Sequence, residues 1–330
     1  MRGGREISDL KLAALEAHRV PKTLALWGRR WGGRFPLDLA LWRQNTEGDP
    51  RHFQSDRCWV IEDGEEIAGC LALKVPGNPP AWARQDPQQA WISFLLVQPG
   101  AEGAVASPLL DRAVGRARGL GFERVAYGGD PSHFFPGAPE EDEPLRDVLR
   151  EAGFQPGDVV HDLIGDLTVS RGPWDADRPL SEAGAAFGPC DRGTTPALLA
   201  FLDEHFPGRW AYETRRRLEV EPTAADILIL TRGAEVIGFC HAYHAGSRRI
   251  GPSIYWRGAI GDRYGGLGPI GVAPAFRGRG IGFALLVLSV EHLHTLGVER
   301  AVIDWTTLTD FYGRLGFTVW RAYRPWRLDL

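Results

Sequence analysis

The stretch LGPIGVAPAFRGRGIG sets Arg277, Gly278, Arg279, Gly280 and Gly282 between a short apolar strand, Leu267 to Val272, and the long helical run FALLVLSVEHLHTL. A helix start presents unpaired backbone N–H groups and a partial positive charge, and glycine lets that backbone approach an anion closely. Arg277 and Arg279 add fixed positive charge, so the chemistry this spacing supports is capture of a phosphate or pyrophosphate group. A second set of groups suits an organic cation or a sugar. HFPGRWAYETRRRLE combines His205, Arg209, Trp210 and Glu213, and the long connection Gly246 to Gly266 carries Tyr255, Trp256 and Asp262. Aromatic faces beside a carboxylate hold a cationic amine or the apolar face of a sugar. The first of these stretches also reads as a plain helix-to-helix turn with an anchoring tryptophan.

Those groups need elements to position them, and the chain supplies the same set twice. WVIEDGEEIAGCLAL and LILTRGAEVIGFCHAY are each a strand, a tight glycine turn and a second strand, with Gly64 and Gly233 in the turns and Gly69 and Gly238 five residues on. LGFERVAY (Leu120 to Tyr127) answers LGVERAVI (Leu296 to Ile303), and REAGF (Arg150 to Phe154) answers GRLGF (Gly313 to Phe317). Each half therefore runs helices, hairpin, strand, helix, strand, helix and closing strand, which predicts a mixed sheet with helices on its faces. The connection Gly165 to Gly184 is rich in glycine, proline and charge, and the expected division is 1–174 and 175–330. The insertion HFFPGAPEEDEPL (His133 to Leu145) reads as an acidic surface loop or as a segment completing the pocket of the second half.

Composition bounds the partners. A 330-residue chain with 44% hydrophobic and 24% charged residues buries a sizeable core, and a net charge of -4 offers no basic field for nucleic acid or an anionic membrane. The start carries charge throughout and no segment is apolar for long enough to span a bilayer, so a cytoplasmic location is expected. Cys58, Cys70, Cys190 and Cys240 show no metal or redox spacing and read as reduced core residues, with no metal expected.

Arg277, Gly280 and Gly282, preceded by Val272, Ala273 and Pro274 and followed by Asp310 to Phe317 (DFYGRLGF), resemble the GNAT acetyltransferase superfamily and its Gln/Arg-x-x-Gly-x-Gly/Ala signature. The resemblance spans about Phe187 to Leu330. It implies an α/β (α+β) fold of two tandem GNAT-like domains, each a mostly antiparallel twisted sheet with helices on both faces, the first degenerate and the second binding acetyl-CoA. Backbone of Ile270, Gly271 and Val272 would meet the pantetheine arm, and Arg277, Gly278, Arg279, Gly280, Ile281 and Gly282 would hold the pyrophosphate. Tyr312 would protonate the departing thiolate as general acid. Asp262, His241, His244 and Asp304 are candidates for the base, with no choice among them. Where the family often has an asparagine after its fifth strand, this chain has Trp305, followed by Thr306 and Thr307.

Aligned on Val97, the first-half loop GAEGAVAS puts Glu102 at the arginine position and Val105 and Ser107 at the glycines, so a carboxylate would repel a pyrophosphate there. One cofactor per chain is expected. The function implied is acetyl transfer to a small primary amine, an amino sugar among the candidates, by direct attack on the thioester, with His205, Arg209, Trp210, Glu213 and Asp262 near the acceptor. A non-catalytic acyl-CoA sensor is the alternative. A small-molecule amine is the expected partner, with no nucleic acid or membrane, in a monomer or homodimer.

Overall fold

A computed structural model describes residues 10–77, 88–169 and 174–330; residues 170–173 of the connection between the halves lie outside the described residues. The first repeat runs β1 (Leu10–Ala14), α1 (Val20–Trp31), α2 (Leu39–Asn45), β2 (Cys58–Asp63), β3 (Glu66–Lys74), β4 (Gln89–Val97), α3 (Glu102–Gly119), β5 (Arg124–Tyr127), β6 (Ala138–Pro139), α4 (Glu143–Glu151), β7 (Gln155–Pro156) and β8 (Val160–Asp166). After α5 (Asp177–Ala183) and β9 (Ala186–Pro189), the second repeats it. It runs α6 (Thr195–His205), α7 (Arg209–Val220), β10 (Ile227–Arg232), β11 (Glu235–His244), β12 (Tyr264–Val272), α8 (Ile281–Thr295), β13 (Arg300–Thr306), α9 (Thr309–Gly313), β14 (Thr318–Arg324) and β15 (Trp326–Asp329).

The internal repeat extends to backbone detail. The hairpins β2–β3 and β10–β11 both close with a two-residue loop opened by a glycine at φ 62° and 61°, Gly64 and Gly233, a conformation that residues with a Cβ rarely adopt. Both also carry a register shift in the first strand, at Ile61/Glu62 and at Leu230/Thr231. Each half then adds one antiparallel strand (β4 on β3, β12 on β11) and one parallel strand (β5 on β4, β13 on β12). The parallel step requires a crossover helix, supplied by α3 and α8. All four cysteines are free and buried. No described helix is long and apolar enough to cross a membrane.

The chain divides elsewhere than expected. Of the described residues, one compact unit takes 10–77, 88–160 and 321–330, and the other 161–169 and 174–320, whereas the sequence places a single boundary at 174/175. The reason is a reciprocal exchange of closing strands. The first sheet has the order β1-β2-β3-β4-β5-β15-β7, so the C-terminal strand of the whole chain lies between β5 and β7. In the second sheet β8, the last strand of the first repeat, takes the equivalent place between β13 and β14, in the order β14-β8-β13-β12-β11-β10-β9. Asp166 pairs with Arg300 and Leu163 with Ile303 in the second sheet, and Leu328 pairs with Val125 and Trp326 with Tyr127 in the first. Both strands read locally as ordinary closing strands, and only tertiary pairing reveals which sheet each joins.

The exchange makes the last ten residues part of the first core, where Tyr323 and Trp326 are almost fully buried. Trp326→Ala is therefore expected to lower the stability of the whole chain by about 3–5 kcal/mol, read as a reduced midpoint of urea unfolding, although it lies far along the sequence from that core.

Candidate active site

The site begins where two parallel strands separate. β12 and β13 pair from Tyr264 opposite Arg300 to Leu267 opposite Ile303, and no further. Beyond that point Gly268–Val272 follows β11, with Ile270 opposite Cys240 and Val272 opposite Gly238, while Asp304–Thr306 turns away. Two local features end the pairing: Pro269 has no N–H for a ladder bond, and β13 carries a register shift between Ile303 and Thr306.

Two cavities open along the split. One, of about 340 Å³, is lined by Ile270, Gly271, Val272, Arg277, Gly282, Phe206 and Phe311. The other, of about 230 Å³, is lined by Arg209, Gly268, Pro269, Ile303, Asp304, Trp305, Thr306 and Thr307. Trp210, Ile270, Leu308 and Tyr312 line both, so the cavities adjoin and Tyr312 stands at their junction.

At the far end of the larger cavity lies the loop from Ala273 to Gly280. Gly278 and Gly280 have φ of 75° and 80°, which turns the backbone into α8. Among the described residues the N–H groups of Gly278, Arg279, Gly280, Ile281 and Gly282 donate to no carbonyl, while those of Phe283 and Ala284 return to Gly280. The first turn of α8 carries no acidic side chain. A Cβ on Gly282 would meet nothing nearer than Val272 Cγ2 at 3.8 Å, so packing within the chain leaves this backbone open to a ligand. Five free amides at the head of a 15-residue helix are an arrangement that can hold an anion such as a diphosphate. Arg277 is exposed and its Nε donates to the Val272 carbonyl at 3.0 Å. Ala273 donates to Ile237 of β11, so by alternation the polar groups of Val272 and Ile270 turn toward the split. Arg279 and Gly280 line a third cavity of about 300 Å³ with Arg178, Arg314 and Trp174.

The candidates for a proton acceptor separate cleanly. His241 is fully buried, and both ring nitrogens are engaged, Nε2 with Thr214 Oγ1 at 3.1 Å and Nδ1 with Tyr243 at 3.0 Å. Because Thr214 donates its own proton to the Trp210 carbonyl, His241 Nε2 is the donor and Nδ1 accepts from Tyr243. Burial, with Arg217 and Arg249, drives its pKa well below the usual value, so the ring is neutral but has no nitrogen to spare. His244 accepts from Gly246 N–H on Nδ1 and donates from Nε2 to Asp226, away from both cavities. Asp262 is exposed at the opposite, paired end of β12.

Asp304 differs from all three. It lines the smaller cavity, and among the described residues its buried Oδ1 meets no hydrogen-bond partner. Burial pushes its pKa up to about 7; Arg209 opposes the shift, and Asp162 and Glu213 add to it. Tyr312 is buried and its pKa is raised by burial, with Asp304 contributing, so its hydroxyl keeps its proton across the physiological range.

Of the expected acceptor residues, Arg209 and Trp210 line the smaller cavity and Glu213 reaches Arg209 at 3.1 Å. His205 packs edge-on against Phe201 and lines neither cavity, and Asp262 is likewise not brought to the site. Nothing in the sequence singles out Asp162, which meets Trp305 N–H through Oδ1 at 3.1 Å only because β8 lies beside β13.

The first unit has the same split and closes it. β4 and β5 pair from Gln89 opposite Arg124 to Ile92 opposite Tyr127. Around it Trp27 packs on Phe94, Phe134 and Phe135, all buried. Phe134 and Phe135 come from the insertion at His133, which is therefore core of its own unit along that part. The loop after Val97 is also shorter: 98–101 intervene before α3, against 273–280 before α8. Counting residues from Val97 put Val105 and Ser107 at the glycine positions, but the structure places both within α3. Glu102 occupies the helix start, where its carboxylate accepts from Gly100 N–H at 2.8 Å and from Arg30 at 2.8 Å. Arg30 also donates to the Val97 carbonyl, as Arg277 does to Val272, and pairs with Asp142. An internal anion thus sits where the second unit has free amides.

Comparison with known proteins places this geometry. The sequence model of the acetyltransferase (GNAT) family matches residues 24–135 and 195–317. The chain belongs to the GNAT acetyltransferase family, with one copy of the family domain in each half, and is an acyltransferase. A mycothiol acetyltransferase from Thermobispora bispora is 27% identical over 288 residues, covering 80% of this chain and 81% of that protein. Among solved structures, the GCN5-related glucosamine N-acetyltransferase region of a fungal multi-domain GH3 β-N-acetylglucosaminidase superposes with a TM-score of 0.86 at 24% identity; 97% of this chain is covered, and it spans 38% of that longer chain. A tandem GNAT protein from the clavulanic acid biosynthesis pathway gives a TM-score of 0.64 at 18% identity, with 97% and 98% of the two chains covered.

The closed first unit implies a measurable dependence on its internal ion pairs. Arg30→Met removes the cation that Glu102 and Asp142 share, and a loss of about 3 kcal/mol is expected in urea unfolding.

Proposed function

We propose that the second half is an acetyl-CoA dependent N-acetyltransferase acting on a small primary amine of the amino-sugar class, and that the first half binds no cofactor. The observation that carries this is the continuous run from five free amides, through the split between β12 and β13, to Tyr312 and Asp304 in an adjoining cavity. Amides 278–282 with Arg277 and Arg279 would hold a diphosphate, and backbone of Ile270 and Val272 would meet the pantetheine arm. Acetyl-CoA supplies the acetyl thioester that an amine attacks directly.

The remaining work falls to side chains of this chain. An amine reaches the site at neutral pH as an ammonium and must lose a proton before attack. Asp304, with a pKa near 7, is matched to accepting it. Tyr312 keeps its proton and stands at the junction of the cavities, in position to give it to the departing thiolate sulfur. Trp210 and Trp305 offer apolar faces, and Arg209, Thr306 and Thr307 offer polar groups, a mixture suited to a hydroxylated ring bearing an amine. The name of one similar solved structure, a glucosamine N-acetyltransferase region, supports an amino-sugar acceptor, and that of a mycothiol acetyltransferase supports acetyl transfer to a small molecule.

Release of free thiol from acetyl-CoA with a panel of amines including glucosamine tests the reading: an amino sugar is expected to give turnover, and no release with any amine contradicts it. Arg277→Glu sets a carboxylate against the diphosphate and is expected to weaken CoA binding by about tenfold or more in calorimetry, while unchanged affinity contradicts the loop assignment. Tyr312→Phe is expected to lower kcat by about 10²-fold or more with CoA affinity retained.

The pH dependence follows from Asp304. The base works only when ionised, so kcat/KM is expected to rise with pH through about 7, and Asp304→Asn should abolish both that limb and most of the turnover. A carboxyl whose pKa is raised on folding stabilises the protein only while protonated. The stability advantage of Asp304→Asn over the native chain is therefore absent in acid, grows as pH rises above the ordinary carboxylate range, and levels off near pH 7.

A further inference from the structure

Asp304 owes its place to a β-bulge, and that bulge is held from a neighbouring strand. Along β13 the register against β8 runs through Ile303 opposite Leu163 and resumes at Thr306 opposite His161. Two residues, Asp304 and Trp305, therefore face the single residue Asp162. A bulge of this kind bends its strand and re-aims the side chains within it, and here it ends the pairing with β12 and turns Asp304 to the cavity. Asp304 Oδ1 comes so close to Gly268 that a Cβ there would lie 2.7 Å away.

Such a backbone needs support. Trp305 has φ of 43°, a left-handed conformation that is uncommon for residues other than glycine. Its N–H donates to Asp162 Oδ1 at 3.1 Å, and the Arg209 guanidinium lies 4.3 Å over its ring, and both contacts help to hold it. Asp162 is itself buried. Without an acceptor at position 162, the Trp305 N–H would lose this partner and the bulge would lose a clamp.

We propose that Asp162 is a positioning residue for acetyl transfer: its carboxylate fixes the bulge that aims Asp304 into the acceptor cavity, so that a strand from the end of the first repeat helps to build the site of the second. The proposal rests on the reading of Asp304 as the base. It also gives the degenerate first repeat a part in the chemistry, since β8 belongs to that repeat by sequence and to the second unit by packing.

Two substitutions separate the geometric from the electrostatic part. Asp162→Ala removes the acceptor; Asp162→Asn keeps an acceptor oxygen and removes the charge. The groups around Asp304 are Arg209 and Glu213 from α7, Asp162 from β8 and Tyr312 from α9, and Asp162 is one of the negative charges that favour its proton. With acetyl-CoA and glucosamine as probes, Asp162→Ala is expected to lower kcat by about 10–100-fold with the KM for acetyl-CoA unchanged within about twofold. Asp162→Asn is expected to restore most of that kcat and to move the acid limb of kcat/KM to lower pH by about half a unit or more. A substrate-free readout accompanies these: the pH at which the stability advantage of Asp304→Asn levels off should fall in the Asp162→Asn background.

Native kcat and an unmoved pH limb in both variants would overturn the proposal, as would an unmoved stability profile. Equal loss of kcat in Asp162→Asn and Asp162→Ala would also overturn it. A fully active Asp304→Asn refutes the base assignment itself, whereas an inactive Asp304→Asn beside a fully active Asp162→Ala refutes only the role of Asp162.

Discussion

The separation of β12 from β13 after Leu267 and Ile303 is the constraint on which the site depends. Two parallel strands that stay paired offer no unsatisfied backbone and no space between them. Once they part, polar groups of β12 turn to the opening, a helix start with free amides lies at one end, and side chains of β13 and α9 stand at the other. The proposed binding of an extended ligand, with its reactive end delivered to an acceptor cavity, would then follow from one break in a hydrogen-bond ladder. The break is made by a residue without an N–H and by a bulge whose Trp305 N–H donates to Asp162.

The first unit has the same break and fills it. Its strands part at the equivalent point, but Trp27, Phe94, Phe134 and Phe135 pack together beside it, and Glu102, paired with Arg30, accepts from Gly100 N–H at the helix start. A buried guanidinium and carboxylate in hydrogen-bond contact hold their place by mutual compensation, and removal of either leaves the other uncompensated. The architecture has been kept while its opening has been filled. What the unit retains in exchange is a strand: β8 leaves it for the second sheet, and β15 arrives to take the vacant position.

Much of this was legible in the sequence because it is local. Arg277, Gly280 and Gly282 at a strand-to-helix turn, the two glycine hairpins, and the order of elements in each half all follow from spacing over a few residues. The remainder was not local. DLIGD fits any closing strand, so nothing in residues 162–166 tells which sheet receives it. Residue counting from Val97 carried Val105 and Ser107 onto glycine positions, whereas AEGAVAS starts its helix early and the loop is simply short. His241 and Asp304 look equally able to accept a proton as letters in a strand. Burial and complete hydrogen bonding silence the histidine, and an unpartnered oxygen distinguishes the aspartate. Asp262 was attractive by composition of its loop, but the loop lies at the closed end of β12.

The central claim is that the opening in the second unit, and not its filled counterpart in the first, receives the diphosphate of CoA. A crystal structure of the chain grown with CoA tests it most directly. The account predicts density for the diphosphate against the amides of residues 278–282, with the pantetheine arm running between β12 and β13 toward Tyr312. Density for the nucleotide beside Glu102 and Gly100, with none at Gly280, would contradict it.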